Sequence, residues 1–362
     1  EQRHRQRDEQ VADPIGEQCP LGNPRPSDTH RVGLRGTDVR GVAFGGGSSV
    51  RHTVASCYAP IADAMTVDLQ HDGLVAIVTP MRPDGSVDYD AWSRLIEFQL
   101  ANGTSGIIVG GTTGESPALL DAELRELTQR ARDQVGSRAA VIAGAGTNST
   151  ASSVERARWL SALGIDALLV VTPAYNKPTQ EGLRRHFEAV ADASTLPIIL
   201  YNVPGRTAVD LLPPTVVRLS QLPRIVALKE AVPDVARIAQ LVSDSPPGFA
   251  ILSGDDLTAR QAIAAGAAGV ISVTANVAPR AMSDMVAAAR RGDTAAAAAI
   301  DQRLELLHRN LFVEANPIPV KWALARMGMM DGALRLPLTE LSAPWHAAVI
   351  DALGAAGIAL NS

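Results

Sequence analysis

Of the 33 basic residues in this 362-residue chain, three are lysines: Lys177, Lys229 and Lys321. In a chain that prefers arginine, each lysine raises a chemical question. An ammonium can shed its proton and become a nucleophile, whereas a guanidinium cannot. Lys229 closes the apolar run Ile225-Val226-Ala227-Leu228 and is followed by Glu230. At an unperturbed pKa near 10.4, presenting a neutral amine at pH 7 costs about 4.6 kcal/mol. Burial against apolar walls lowers that cost and makes imine formation with a carbonyl feasible. A lysine that snorkels to solvent, or pairs with Glu230, is an equal reading of this residue alone. Lys177 lies in a loop and Lys321 in a late helix, neither with such a setting, so Lys229 is the candidate amine.

Two other segments carry polar groups at the ends of apolar runs. Tyr201 ends one of them, where a phenol can shuttle protons or merely plug a core. Arg206, five residues on, offers a fork for a carboxylate or is a solvated loop residue. The run Gly110-Gly111-Thr112-Thr113-Gly114-Glu115-Ser116 lets the backbone turn inward, so that successive amides form a nest for an anion. It lacks the Gly-Lys-Ser/Thr ending of a nucleotide-phosphate loop, which leaves a carboxylate as the natural guest. Gly144-Ala145-Gly146 is too short for a dinucleotide fingerprint.

These groups need elements to hold them. From about residue 73, short apolar runs alternate with amphipathic stretches. The runs predict strands at Leu74–Thr79, Gly106–Val109, Ala140–Ala143, Ala167–Val171, Pro197–Tyr201, Ile225–Leu228, Ala250–Leu252 and Gly269–Ser272. Helices are predicted between them, for example at Tyr89–Ala101, Ala122–Val135 and Ser152–Leu163. Eight such units fit an α/β fold of the (β/α)₈ TIM-barrel type over residues 65–292, with a doubly wound sheet as the alternative. Residues 293–362 read as a C-terminal helical appendage, with helices at Leu304–Val313, Pro319–Met327 and Pro344–Leu353. In a barrel, the strand C-termini gather the chemistry on one face.

Composition narrows the rest. Hydrophobic residues make up 46% and charged residues 20%, enough apolar material for a large core, and the net charge is −5 without blocks of one sign. Nucleic acid and membrane are therefore not expected partners, and the chain reads as soluble and cytoplasmic. Both cysteines, Cys19 and Cys57, precede the folded part, which excludes a thiolate site there. His71, His186, His308 and His346 show no ligand spacing, so no metal is expected. Residues 1–64 are rich in Arg, Gly, Pro, Ser and Asp without a sustained period and read as a disordered leader or upstream extension.

Taken together, several motifs resemble one family. Gly111–Ser116, Val171-Thr172-Pro173 with Tyr175-Asn176, and Tyr201–Pro204 with Arg206-Thr207 are similar to those of dihydrodipicolinate synthases, Schiff-base class I pyruvate aldolases. So are Leu228–Glu230, Ser253–Asp256, Gly269–Ser272 and Asn316–Lys321. The resemblance covers about residues 70–360 and implies condensation of pyruvate with aspartate-β-semialdehyde in lysine biosynthesis, with no cofactor. It implies that Lys229 forms the imine and that Tyr201, Thr112 and Tyr175 relay protons, Tyr175 reaching in from a neighbouring subunit of a homotetramer. It further implies that Thr113 holds the pyruvate carboxylate, that the Ile271 backbone faces pyruvate, and that Arg206 holds the semialdehyde carboxylate. N-acetylneuraminate lyases and keto-deoxy-sugar acid aldolases or dehydratases share the lysine and tyrosine, but Arg206 favours the dicarboxylate product. A catalytically silent binding barrel would have lost one of the two. Lysine-inhibited members bind lysine through a glutamate, two histidines and a tyrosine. This chain has Ser152, Asp121, Leu124 and Ala174 at those positions, beside Ser116 and Asn148 in minor roles, which implies weak or absent inhibition.

Overall fold

Eight parallel strands close on themselves in chain order: β1 (Leu74–Ala76), β2 (Gly106–Val109), β3 (Ala140–Gly144) and β4 (Ala167–Val171), then β5 (Ile198–Asn202), β6 (Ile225–Glu230), β7 (Ala250–Ser253) and β8 (Gly269–Ser272). Because β1 pairs with both β2 and β8, the sheet has no edge, which excludes the doubly wound alternative. The fold is a (β/α)₈ TIM barrel followed by further helices. The computed structural model describes residues 73–360; the leader, Cys19, Cys57 and His71 lie outside the described residues.

The helices are α1 (Tyr89–Ala101), α2 (Asp121–Val135), α3 (Thr150–Ser161), α4 (Gln180–Ala193), α5 (Pro204–Thr207) and α6 (Pro213–Leu219). They continue as α7 (Val235–Asp244), α8 (Ala259–Ala264), α9 (Pro279–Arg290), α10 (Thr294–Asn310), α11 (Ile318–Arg326) and α12 (His346–Ala355). Side-chain oxygens start many of them: Asp88 accepts from the amides of Asp90 and Ala91 at α1, and Asp234 from those of Ala236 and Arg237 at α7. In α4 the buried residues Leu183, His186, Phe187, Val190 and Ala191 form one stripe at helical spacing. Among the described residues no helix is long and apolar enough to cross a membrane.

Strand alternation divides the core in two. Ile199, Tyr201, Ala227, Leu252 and Ile271 point into the barrel, while Leu200, Leu228, Ile251 and Val270 pack outward under the helices. Most strand and helix boundaries fall within a few residues of the sequence reading, and three differences have a visible cause. β1 stops at Ala76 because the amide of Val78 donates to the side chain of Asn276 instead of a strand, at 3.0 Å. β6 runs on through Lys229 and Glu230, which pair with Tyr201 and Asn202 on one side and Leu252 and Ser253 on the other. The alanine-rich stretch joins α10, as alanine's high propensity favours, and the helix ends at Asn310, before Val313.

One reading is corrected. Lys321, passed over as an ordinary helical residue, is fully buried in α11, where its ammonium pairs with the carboxylate of Glu115 in the β2 loop. The second Glu115 oxygen accepts the amide of Arg335 at 3.1 Å, and the Arg335 guanidinium pairs with Glu123 of α2. The appendage is thereby fastened to the loop that follows β2. Removing one partner of a buried pair strands the other charge, which costs about 3–5 kcal/mol. Lys321→Ala is expected to lower stability by that amount in denaturant unfolding. The joint change Lys321→Met with Glu115→Gln, which keeps an acceptor for Arg335, is expected to recover most of it. A loss below about 1 kcal/mol in the single variant would refute the pair's structural weight.

Candidate active site

Lys229 and Tyr201 are register partners on adjacent strands, so both side chains enter the barrel interior side by side. The Lys229 Nζ lies 4.6 Å from the centre of the Tyr201 ring, and the two residues are 5% and 6% exposed. Gly254, at the end of β7, leaves the room the lysine needs: a Cβ there would meet the Lys229 Cε at 3.0 Å. Burial lowers the Lys229 pKa from 10.5 to about 8, opposed by the Asp256 carboxylate and assisted by the Arg206 guanidinium. The cost of a neutral amine at pH 7 falls from about 5 to about 1 kcal/mol. Burial also raises the Tyr201 phenol, against a hydrogen bond from the Thr112 side chain and the charge of Arg206.

Glu230 is not the lysine's partner. Its buried carboxylate accepts from Asn202 at 3.0 and 3.1 Å and from the Arg237 Nε at 3.0 Å. Arg237 and Asn202 in turn reach Asp210, so the ends of β5 and β6 are locked together and, among the described residues, the ammonium of Lys229 has no salt bridge. Asp256 takes the amides of Val273 and Thr274 at 2.9 and 2.8 Å through one oxygen, which fixes the turn after β8. Its other oxygen is buried without a hydrogen-bond partner among the described residues.

The loop after β2 turns at Gly110, whose positive φ of 63° and contact with Leu124 leave no place for a Cβ. Internal bonds from the amides of Gly114, Glu115 and Ser116 close it on itself. Among the described residues, the amides of Thr112 and Thr113 have no protein acceptor, which suits an anion. Thr113 is buried and accepts from the side-chain amide of Asn316 at 2.9 Å. Arg206, exposed on α5, donates to the Asn316 carbonyl at 3.1 Å. Ile271 lines the interior at 1% exposure. A cavity of about 430 Å³ opens along Gly110, Thr112, Gly144, Leu169 and Tyr201 and continues past Asn148 to Arg156.

The structure thus gathers Lys229, Tyr201, Thr112, Thr113, Arg206 and Ile271 at one end of the barrel. It does not bring in Tyr175, which is 89% exposed at a strained φ of 73°. Asp256 and Asn316 carry no assigned role in the sequence reading, although both lie within motifs it singled out, Ser253–Asp256 and Asn316–Lys321.

An unpaired, desolvated lysine inside a closed eightfold barrel, beside a phenol and an anion-ready loop, defines a Schiff-base-forming lyase of the aldolase class. Residues 71–356 match the dihydrodipicolinate synthetase family, and the chain belongs to it. The chain is 53% identical over 292 residues to the 4-hydroxy-tetrahydrodipicolinate synthase of Thioalkalivibrio sulfidiphilus, spanning 81% of this chain and 99% of that one. The chloride-inhibited dihydrodipicolinate synthase of Acinetobacter baumannii complexed with pyruvate superposes with a TM-score of 0.78 at 46% identity, covering 79% of this chain and 99% of that one. The Cyanidioschyzon merolae enzyme with lysine bound gives 0.77 at 39% identity, over 80% and 100%.

The depressed lysine carries a pH signature. Only the neutral amine attacks a carbonyl, so imine formation should rise with pH up to about 8 and level off above it. Trapping with pyruvate and cyanoborohydride across pH 6–10 reads this directly, with the adduct mass on Lys229. An inflection near 10.5, or an adduct on Lys177 or Lys321, would contradict the assignment.

Proposed function

We propose that this chain condenses pyruvate, held as an imine on Lys229, with L-aspartate-β-semialdehyde, the reaction of 4-hydroxy-tetrahydrodipicolinate synthase. The observation that carries it is the buried, unpaired Lys229 amine against the Tyr201 ring in a chain of this family. The neutral amine attacks the pyruvate C2, and water leaves as the iminium forms. Thr113 and the adjacent amides hold the pyruvate carboxylate, and the Ile271 backbone faces the bound ketoacid. The iminium nitrogen withdraws electrons, so a proton leaves the methyl group through Tyr201 and Thr112 to give an enamine. The enamine carbon attacks the aldehyde, whose own carboxylate sits on Arg206 at the mouth. Finally the product's amine displaces Lys229 by transimination and closes the ring.

Tyr175 completes the relay from a second copy of the chain. Its exposure and its strained backbone support that reading, since a lone subunit gives such a residue nothing to do. A homotetramer built from tight dimers follows the family's habit, and two water-soluble substrates suit a cytoplasmic enzyme. No step calls for a cofactor or metal.

A coupled assay with pyruvate and the semialdehyde tests the activity. Arg206→Ala is expected to weaken use of the semialdehyde about 10- to 100-fold, the loss of one charged hydrogen bond of ~1.5–3 kcal/mol, while imine formation with pyruvate survives. Turnover of N-acetylneuraminate or a keto-deoxy-sugar acid in preference to the semialdehyde would overturn the reading.

Regulation follows from the cleft beyond the site. Asp121 is paired with Arg156 at 2.6 Å, and Arg156, mostly buried, lines the same cleft as Ser116, Asn148 and Ala174. Leu124 is turned into the core. A cation therefore stands where relatives could seat one, and Asp121 is already spent on it. Inhibition by millimolar L-lysine is expected to be slight or nil. Half-inhibition below about 1 mM, equivalent to ~4 kcal/mol of binding, would refute this.

A further inference from the structure

Asn316 touches both groups to which the proposed function gives a substrate carboxylate. Its side-chain Nδ2 donates to the Thr113 hydroxyl oxygen at 2.9 Å, and its backbone carbonyl accepts from the Arg206 NH2 at 3.1 Å. It is 6% exposed, lies two residues before α11 and stands 203 positions from Thr113 in the chain.

The direction of the first bond matters. A threonine hydroxyl has a single proton. With Asn316 donating to its oxygen, that proton is left for another acceptor, and among the described residues Thr113 donates to none. The opposite orientation of the amide would turn Asn316 into an acceptor and consume the proton. It would leave both amide hydrogens without acceptors, whereas the present one leaves one hydrogen and the Oδ1 oxygen without partners among the described residues. The structure carries the donating orientation. A proton-bearing hydroxyl at a 2%-exposed residue, beside two unclaimed loop amides, lacks only an anion.

We infer that Asn316 is a positioning residue for pyruvate: its side-chain amide fixes the Thr113 hydroxyl as a donor to the ketoacid carboxylate, while its carbonyl separately steadies Arg206. This rests on the proposed role of Thr113. The two contacts use different atoms of one residue, so a side-chain change reaches the pyruvate subsite and spares the other.

The test is saturation of imine trapping by pyruvate, together with the KM for the semialdehyde and the thermal midpoint of the intact assembly. Asn316→Asp is nearly isosteric but accepts only, so it takes the Thr113 proton and sets a negative charge beside the carboxylate. The pyruvate concentration giving half-maximal trapping is expected to rise at least about tenfold, with the semialdehyde KM within about threefold. Asn316→Ala, which leaves the hydroxyl free, is expected to shift it about two- to fivefold. In a Thr113→Val background, Asn316→Ala should add nothing further, because its partner is gone. That cycle decides the matter even if Asn316→Asp does not fold. If Thr113→Val alone leaves pyruvate saturation unchanged, the carboxylate reading falls and this inference with it. If Thr113→Val raises half-saturation but Asn316→Asp does not, the inference alone falls. Additive effects in the cycle, or equal losses for both substrates that track the thermal midpoint, would also overturn it.

Discussion

A primary amine attacks a carbonyl only after it gives up its proton, and in water that happens near pH 10. The arrangement around Lys229 lowers that obstacle by withholding water and any directly paired carboxylate among the described residues. Closure of the sheet makes the barrel interior dry, the two-residue alternation of β6 directs the side chain there, and Glu230 points the other way into its own network with Asn202 and Arg237. Had Glu230 faced the lysine, Coulomb attraction would have stabilised the ammonium and undone the effect of burial. The Glu230 network thus matters to the Lys229 amine as much as the apolar wall does.

Lys321 makes the contrast within the same molecule. It is as deeply buried as Lys229, yet its ammonium meets the Glu115 carboxylate directly. Burial lowers the pKa of both, but only for Lys321 does a paired carboxylate oppose the desolvation at contact distance. Two lysines in similar dryness therefore stand in opposite settings, one an amine with a lowered pKa and one a paired charge that fastens the loop carrying Thr112 and Thr113. The identity of the neighbour decides, not the burial.

Much of this was legible in the residues. Strand runs such as Gly106–Val109 and Ala167–Val171, and helix α1, stand where their apolar periods put them, because a two-residue and a 3.6-residue repeat are local signals. Lys229 was legible because a charged residue finishing an apolar strand is rare and local too. The setting of Lys321 was not, since a helix residue looks alike whether it faces solvent or an acid 206 positions away. The same holds for Arg156, whose neutralisation of Asp121 joins helices α3 and α2. Ends of strands were least readable where side chains compete for backbone groups, as Asn276 does for Val78.

The bonds from Lys321 and Arg335 to Glu115 join residues 206 and 220 positions apart, and that has a bearing on how the enzyme is made. A chain emerging from the ribosome presents its N-terminal part first. All eight strands, with Lys229 among them, are synthesised before either of the residues that pin the loop after β2. A nascent barrel can therefore hold its lysine while the anion cradle still lacks its anchors. The loop after β2 gains both anchors only once the chain has been made past Arg335, so premature termination within α11 would release a chain that has all eight strands but lacks a fastening for that loop.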